Sequence, residues 1–272
     1  MLFRSHVLYP SAYYLFKRME YMPPNDNQSL TRQQRADLLA YILQQNGLAS
    51  GNTELIADDN AMRAMPLPVE PGFSHIFNGR DFTGLQFLLG YHCTAPPEGC
   101  GKTDPAGVFS VKDGVLATTG RIQGVVYWPK KYKNFTLRLE QRVPSEWNDL
   151  DDLLQDQTGL LIFMTSKGGA IRPWGDNMIE VEGKYHELMR MSPIGGIKME
   201  STLDSVKRRQ VINHVNQWQR IEVVSKDGII NGSLNGTLIA TAKLLEDLPP
   251  GYIALQSQGG PVEWRNIRIK EE

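Results

Sequence analysis

The 272-residue sequence has two cysteines, no surplus of either charge and no long apolar run. Each shortage removes a class of function. With 29 Lys and Arg against 30 Asp and Glu, the chain lacks the basic excess on which nucleic-acid and membrane-surface binding draw. No stretch approaches the ~20 consecutive apolar residues of a membrane helix. Nucleic acid and a membrane span are therefore not expected. Met1–Pro10 interrupts its hydrophobics with Arg4 and His6 and does not read as an export signal. What remains, 41% hydrophobic and 22% charged residues with 25 Gly and 16 Pro, is globular and excludes collagen-like, coiled-coil and disordered chains.

The two cysteines, Cys93 and Cys100, lie in a Pro/Gly-rich stretch where a bridge would close a short loop. An oxidising compartment favours the disulfide, and a reducing one leaves two loop thiols. Without further ligands the pair makes no zinc site.

The first seventy residues differ from the rest. Thr31–Gln45 reads as one amphipathic helix, with Leu38, Leu39 and Ile42 on a face, capping-box spacing between Thr31 and Gln34, and Gly47 at the C-terminal stop. Tyr13, Tyr14 and Phe16 precede it, before a break at Met22-Pro23-Pro24. Gly51–Pro71 reads as a linker with at most a short helix at Asn60–Met65. The expected division is a helical extension over 1–70 and a β domain over 71–272.

Beyond Phe73 short apolar or alternating runs are separated by turn signals, the pattern of an all-β sandwich. The expected strands are Gly107–Lys112, Val115–Thr119, Gly124–Trp128, Phe135–Val143, Gly159–Met164, Met178–Glu182, Trp218–Ser225, Ile229–Leu234, Thr237–Ala242, Gly251–Gln256 and Val262–Lys270. Asp113-Gly114, Asp227-Gly228 and Asn235-Gly236 are pairs suited to tight hairpins. About eleven strands imply two packed antiparallel sheets.

Two segments carry a family resemblance. Phe77-Asn78-Gly79-Arg80-Asp81-Phe82-Thr83-Gly84 resembles the opening FNGKDLTGW of the 3-keto-disaccharide hydrolase domain family, and Gly251–Lys270 is similar to its closing GYIALQSEGGPVEFRNIRIK. The resemblance covers roughly Gly72–Glu272. It implies a concanavalin A-like jelly-roll sandwich, a small carbohydrate substrate, and cleavage of the glycosidic bond of sugars oxidised to a ketone at carbon 3. The N-terminal part resembles something else, the closing third of a bacterial cytochrome c, through Met22-Pro23-Pro24 and Leu30–Gly47. No Cys-x-x-Cys-His occurs, so covalent haem attachment is excluded. Relatives of both parts are exported, which implies the periplasm or the cell exterior.

Arg172–Glu187 is the most informative stretch for chemistry. In a strand Glu180 and Glu182 project together while Ile179 and Val181 face the core. Two neighbouring carboxylates suit acid–base work on sugars. His186 adds a group that titrates near neutrality, and Trp174 suits the apolar face of a sugar. Glu180 matches the glutamate of the family's W-G-x-x-x-E-x-Q segment, and Glu182 stands where glutamine is usual. The ketone acidifies the hydrogen on carbon 2, so elimination is one route, with Glu180 or His186 as base and Lys184, Arg172 or a divalent metal holding the enolate. Hydrolysis by Glu180 and Glu182 is the other. A non-catalytic carbohydrate-binding module is the competing class. Gln256 and Gln258 share a face and suit sugar hydroxyls. Asp149, Asp151, Asp152 and Asp156 read as a solvated acidic loop, Lys207-Arg208-Arg209 as an exposed turn, Trp218 and Trp264 as packing residues, and Trp128, Trp147 and Trp174 as stacking candidates.

Overall fold

The computed structural model describes residues 12–22, 26, 28–45, 54–65, 70–90, 107–144, 158–165 and 177–272. The chain divides into two compact units, Met1–Pro71 and Gly72–Glu272.

The first unit holds three helices, α1 (Ala12–Met19), α2 (Arg32–Gln45) and α3 (Asp59–Ala64). The capping box of α2 is formed in both directions. The Thr31 N–H donates to Gln34 Oε1 at 2.8 Å and the Gln34 N–H donates to Thr31 Oγ1 at 3.2 Å. The helix buries Ala36, Leu39 and Leu43, whereas Leu38 is exposed and Ile42 only half-buried. The buried stripe runs i, i+3, i+7, and Leu38 lies one residue, about 100°, off it. These residues form a small core with Tyr13, Leu15, Phe16, Met19 and Met62. Asp58 caps α3 by accepting the Ala61 N–H at 2.8 Å. Met22 is exposed.

The second unit is a sandwich of two sheets, antiparallel at every pairing. In chain order the strands are β1 (Ser74–His75), β2 (Gln86–Leu89), β3 (Phe109–Lys112), β4 (Val115–Thr118), β5 (Gly124–Tyr132), β6 (Phe135–Arg142), β7 (Leu160–Met164), β8 (Met178–Val181), β9 (Met191–Ile194), β10 (Met199–Leu203), β11 (Gln219–Lys226), β12 (Ile229–Leu234), β13 (Thr237–Leu244), β14 (Gly251–Ser257) and β15 (Val262–Glu271). The larger sheet runs β10-β13-β12-β11-β6-β15-β4-β3, with β1 also on β15, and the smaller runs β2-β5-β14-β7-β8-β9.

All eleven expected strands are present, because turn chemistry and side-chain period mark them together. Asp113 with Gly114, Asp227 with Gly228 and Asn235 with Gly236 all have positive φ, as two-residue hairpin turns require. The strands that the sequence pattern does not mark lie at edges. β2 shows no alternation, β9 contains Pro193, and β10 is largely exposed. Lys207-Arg208-Arg209 is not an exposed turn. It lies in α4 (Ser205–Val211), capped by Asp204, and the buried Arg208 donates through Nη1 to the Tyr185 carbonyl at 2.9 Å.

Between the sheets lies a core that includes Leu116, Phe135, Leu137, Ile179, Val181, Leu255 and Trp264. Trp264 is fully buried and its indole N–H donates to Gln141 Oε1 at 3.1 Å. Trp128 is no stacking platform, for its ring belongs to this core and its indole N–H donates to the Ile76 carbonyl. The guanidiniums of Arg142 and Arg265 lie over the Trp218 ring, at 4.6 and 4.0 Å from its centroid. Trp264→Ala removes a fully buried core indole and takes the donor from Gln141 Oε1, so it is expected to cost about 3–5 kcal/mol, read as a lower urea midpoint with the m-value unchanged.

Candidate active site on the smaller sheet

Strand β8 pairs with β7 and β9, placing Glu180 opposite Leu161 and Ser192. Ile179 and Val181 point into the main core, so period-2 geometry sends Met178 and Glu180 to the outer face. Following register, one row on that face reads Gln86, Tyr127, Ala254, Leu161, Glu180 and Ser192. The floor around it is apolar, built from Leu88, Val125, Leu161, Met164, Met178 and Ala254. Among the described strand residues, Glu180 is the one acidic side chain on this face, and it is half-buried.

Gln256 lies on the same face and is bonded through both ends of its amide. Its Oε1 accepts the Gly159 N–H at 3.1 Å and its Nε2 donates to Gln258 Oε1 at 2.7 Å. Gln258 is tied in turn to Thr158, whose hydroxyl donates to the Gln258 carbonyl at 2.6 Å. Gly159 separates the glutamine from the glutamate. A Cβ placed there would lie 3.3 Å from Glu180 Cγ and 3.4 Å from Gln256 Oε1. The structure thus brings Glu180, Gln256 and Gln258 into one neighbourhood.

Glu182 takes a different place. The strand ends at Val181, and the Glu182 carboxylate, 4% exposed, accepts the Lys184 N–H at 3.0 Å and pairs with Arg190 at 3.3 Å. Lys184 is half-buried, and His186 stands exposed on the 3-10 turn Tyr185–Glu187, its ring edge-on to Tyr185 at 5.4 Å. Burial pushes the Tyr185 phenol above its ordinary pKa, and the hydroxyl donates to the Asn213 carbonyl at 2.9 Å. Arg172, Trp174, Trp147, the acidic residues Asp149, Asp151, Asp152 and Asp156, and the cysteines Cys93 and Cys100 lie outside the described residues. Among the described residues no three His, Cys, Asp or Glu side chains converge on a cation position.

The outer face also holds residues that the sequence reading passed over. Tyr127 and Tyr252 pack edge-to-face with centroids 5.3 Å apart, and the Tyr127 hydroxyl donates to Gln86 Oε1 at 2.6 Å. Burial, assisted by Tyr252, pushes the Tyr127 phenol upward, so it remains a donor at neutral pH. The alternation Tyr252, Ala254, Gln256 was a usable signal for Tyr252. A cleft of about 310 Å³, lined by Thr165, Asn177, Gly196 and the segment 246–250 among others, opens at the opposite end of β7 and β8 from Glu182.

The β unit is thus a two-sheet antiparallel sandwich that carries a carboxylate and a bonded amide pair on the outer face of its smaller sheet. The sequence comparison narrows the class. Residues 72–270 match the 3-keto-alpha-glucoside-1,2-lyase-like domain, and the chain belongs to that family, which places its function in carbohydrate chemistry. No curated protein matches the chain. Among solved structures, a proposed glycosyl hydrolase from Parabacteroides distasonis is similar, at 17% identity and a TM-score of 0.52 over 74% of this chain and 94% of that one. A second protein from the same organism, also a proposed glycosyl hydrolase, gives 19% identity and 0.46 over 74% and 99%. The carbohydrate-binding module CBM66 of Bacillus subtilis gives 11% and 0.43 over 71% and 98%. The first of these shows the sandwich fold.

Replacing Gln256 with Met removes the acceptor of the buried Gly159 N–H and the amide donor to Gln258 Oε1. A loss of about 1–3 kcal/mol is expected, measured by thermal or urea unfolding. An unchanged stability would mean that the amide network does not order this face.

Proposed function

We propose that the sandwich cleaves glycosidic bonds of sugars carrying a ketone at carbon 3, by elimination, with Glu180 as the base. Family membership supports the substrate class. The observation that carries the mechanism is the single carboxylate on the outer face of the smaller sheet among the described strand residues.

The chemistry needs only one such group. The ketone acidifies the carbon-2 hydrogen, and Glu180 takes that proton while the electron pair is delocalised onto the carbon-3 oxygen. The pair then returns to form the C1–C2 double bond as the C1–O bond breaks and the leaving oxygen is protonated. Addition of water across that double bond completes a net hydrolysis. Lys184 and His186, carried by the turn that follows β8, are the nearby groups in sequence suited to hold the enolate or to protonate the leaving oxygen. Two-carboxylate hydrolysis instead requires a second carboxyl facing the bond, and that of Glu182 is turned to Arg190 and a backbone N–H.

Turnover of a 3-keto disaccharide is compared with that of its unoxidised parent and of the keto sugar deuterated at carbon 2. Cleavage restricted to the keto form is expected, with a primary isotope effect. Glu180→Gln should lower kcat/KM by at least about a hundredfold. Equal cleavage of the parent would favour direct hydrolysis. Binding of keto sugars without cleavage would make the domain a carbohydrate-binding module.

A further inference from the structure

Glu182 sits at a junction of the backbone. Its N–H donates to the Arg190 carbonyl at 2.8 Å and its carbonyl accepts the Met189 N–H at 2.9 Å, which closes the segment 183–188 into a loop. The carboxylate turns inside that loop. Oε1 accepts the Lys184 N–H at 3.0 Å, and Oε2 faces Arg190 Nη2 at 3.3 Å. Arg190 also pairs with Glu187 at 3.0 Å, so one guanidinium joins both ends of the turn. Three outside bonds fix it further: Gln141 of β6 donates to the Gly183 carbonyl at 3.0 Å, Arg208 of α4 donates to the Tyr185 carbonyl, and the Tyr185 hydroxyl donates to the Asn213 carbonyl. Met189 is buried with φ at 76°, a conformation that a non-glycine residue keeps only where its surroundings over-determine it.

We propose that Glu182 is a positioning residue. It carries no proton in the reaction and instead holds the turn that presents Lys184 and His186 at the end of the strand bearing Glu180. The assignment of a reaction to Glu180 is the reading above, on which the functional half of this inference rests. The geometric half stands by itself. Each carboxylate oxygen meets a partner, a backbone donor on one and a cation on the other, and the group is buried in a closed loop, which suits an anchor and not a group that must meet a substrate carbon.

The chemistry separates the two roles through glutamine and alanine. A glutamine at 182 keeps an oxygen for the Lys184 N–H and loses only the ion pair with Arg190, whereas alanine loses both. Glu182→Gln is therefore expected to retain turnover of a 3-keto disaccharide within about tenfold of wild type, against the hundredfold or larger loss of Glu180→Gln. Amide hydrogen exchange over 184–190 should remain close to wild type in Glu182→Gln and accelerate in Glu182→Ala, whose kcat/KM should fall more than tenfold. Should Glu182→Gln lose as much activity as Glu180→Gln while its amides stay protected, Glu182 transfers a proton and the proposal fails. If Glu182→Ala leaves the exchange of 184–190 unchanged, the proposal fails whatever the sugars do. Should the wild type bind keto sugars without cleaving them, the elimination reading fails, and sugar affinity replaces turnover as the readout with the same expected order of variants. If no sugar binds, the exchange arm alone decides.

Discussion

The smaller sheet packs apolar side chains on both faces, and that constraint governs everything built on it. Its inner side chains fill the sandwich and its outer ones form a second apolar cluster. A polar group placed on such a surface must find a partner or remain costly. The outer face accordingly holds few polar side chains, and these are tied together. Gln256 bridges Gly159 and Gln258, and Tyr127 is bonded to Gln86. Glu180 enters this setting because β8 cannot bury Ile179 and Val181 without turning the residue between them outward.

The orientation of Glu180 was legible because period-2 alternation is a local property, and MIEV carries it. The same alternation failed one residue later. Continuing the strand to Glu182 assumed that β8 outlasts Val181, whereas the chain turns there to satisfy Arg190 and Met189, and nothing in four residues of pattern announces that closure. The tryptophans divide in the same way. Trp264 alternates with the half-buried, charged Glu263 and Arg265 and reads as core. Trp128 ends the run Gly124–Trp128, in which every residue is buried, so the pattern offers no face on which to put it. A strand buried on both sides erases the signal that sequence reading depends on.

The helical unit gives the complementary lesson. Its capping box was readable to the residue, since Thr31 and Gln34 interact with each other's backbone and need nothing distant. Which leucines are buried was not readable, because Leu38, Leu39 and Ile42 fit a helical stripe as well as Ala36, Leu39 and Leu43 do. The choice is made by what packs against α2, namely Phe16, Met19 and Met62. Local chemistry sets where the helix starts, and tertiary contact sets how it is rotated.

The identity of residue 182 is best understood together with Arg190. The resembled family usually has glutamine there, which offers an uncharged oxygen to a backbone donor. Glutamate offers the same oxygen and adds a charge that burial makes expensive unless a cation meets it. Arg190, itself about half exposed and shared with Glu187, supplies that cation from the far end of the same loop. On the proposal made above, glutamate at 182 serves as an anchor and not as a second catalytic acid. The ion pair ties the two ends of the turn, and the carboxylate meets its cation eight positions along the chain.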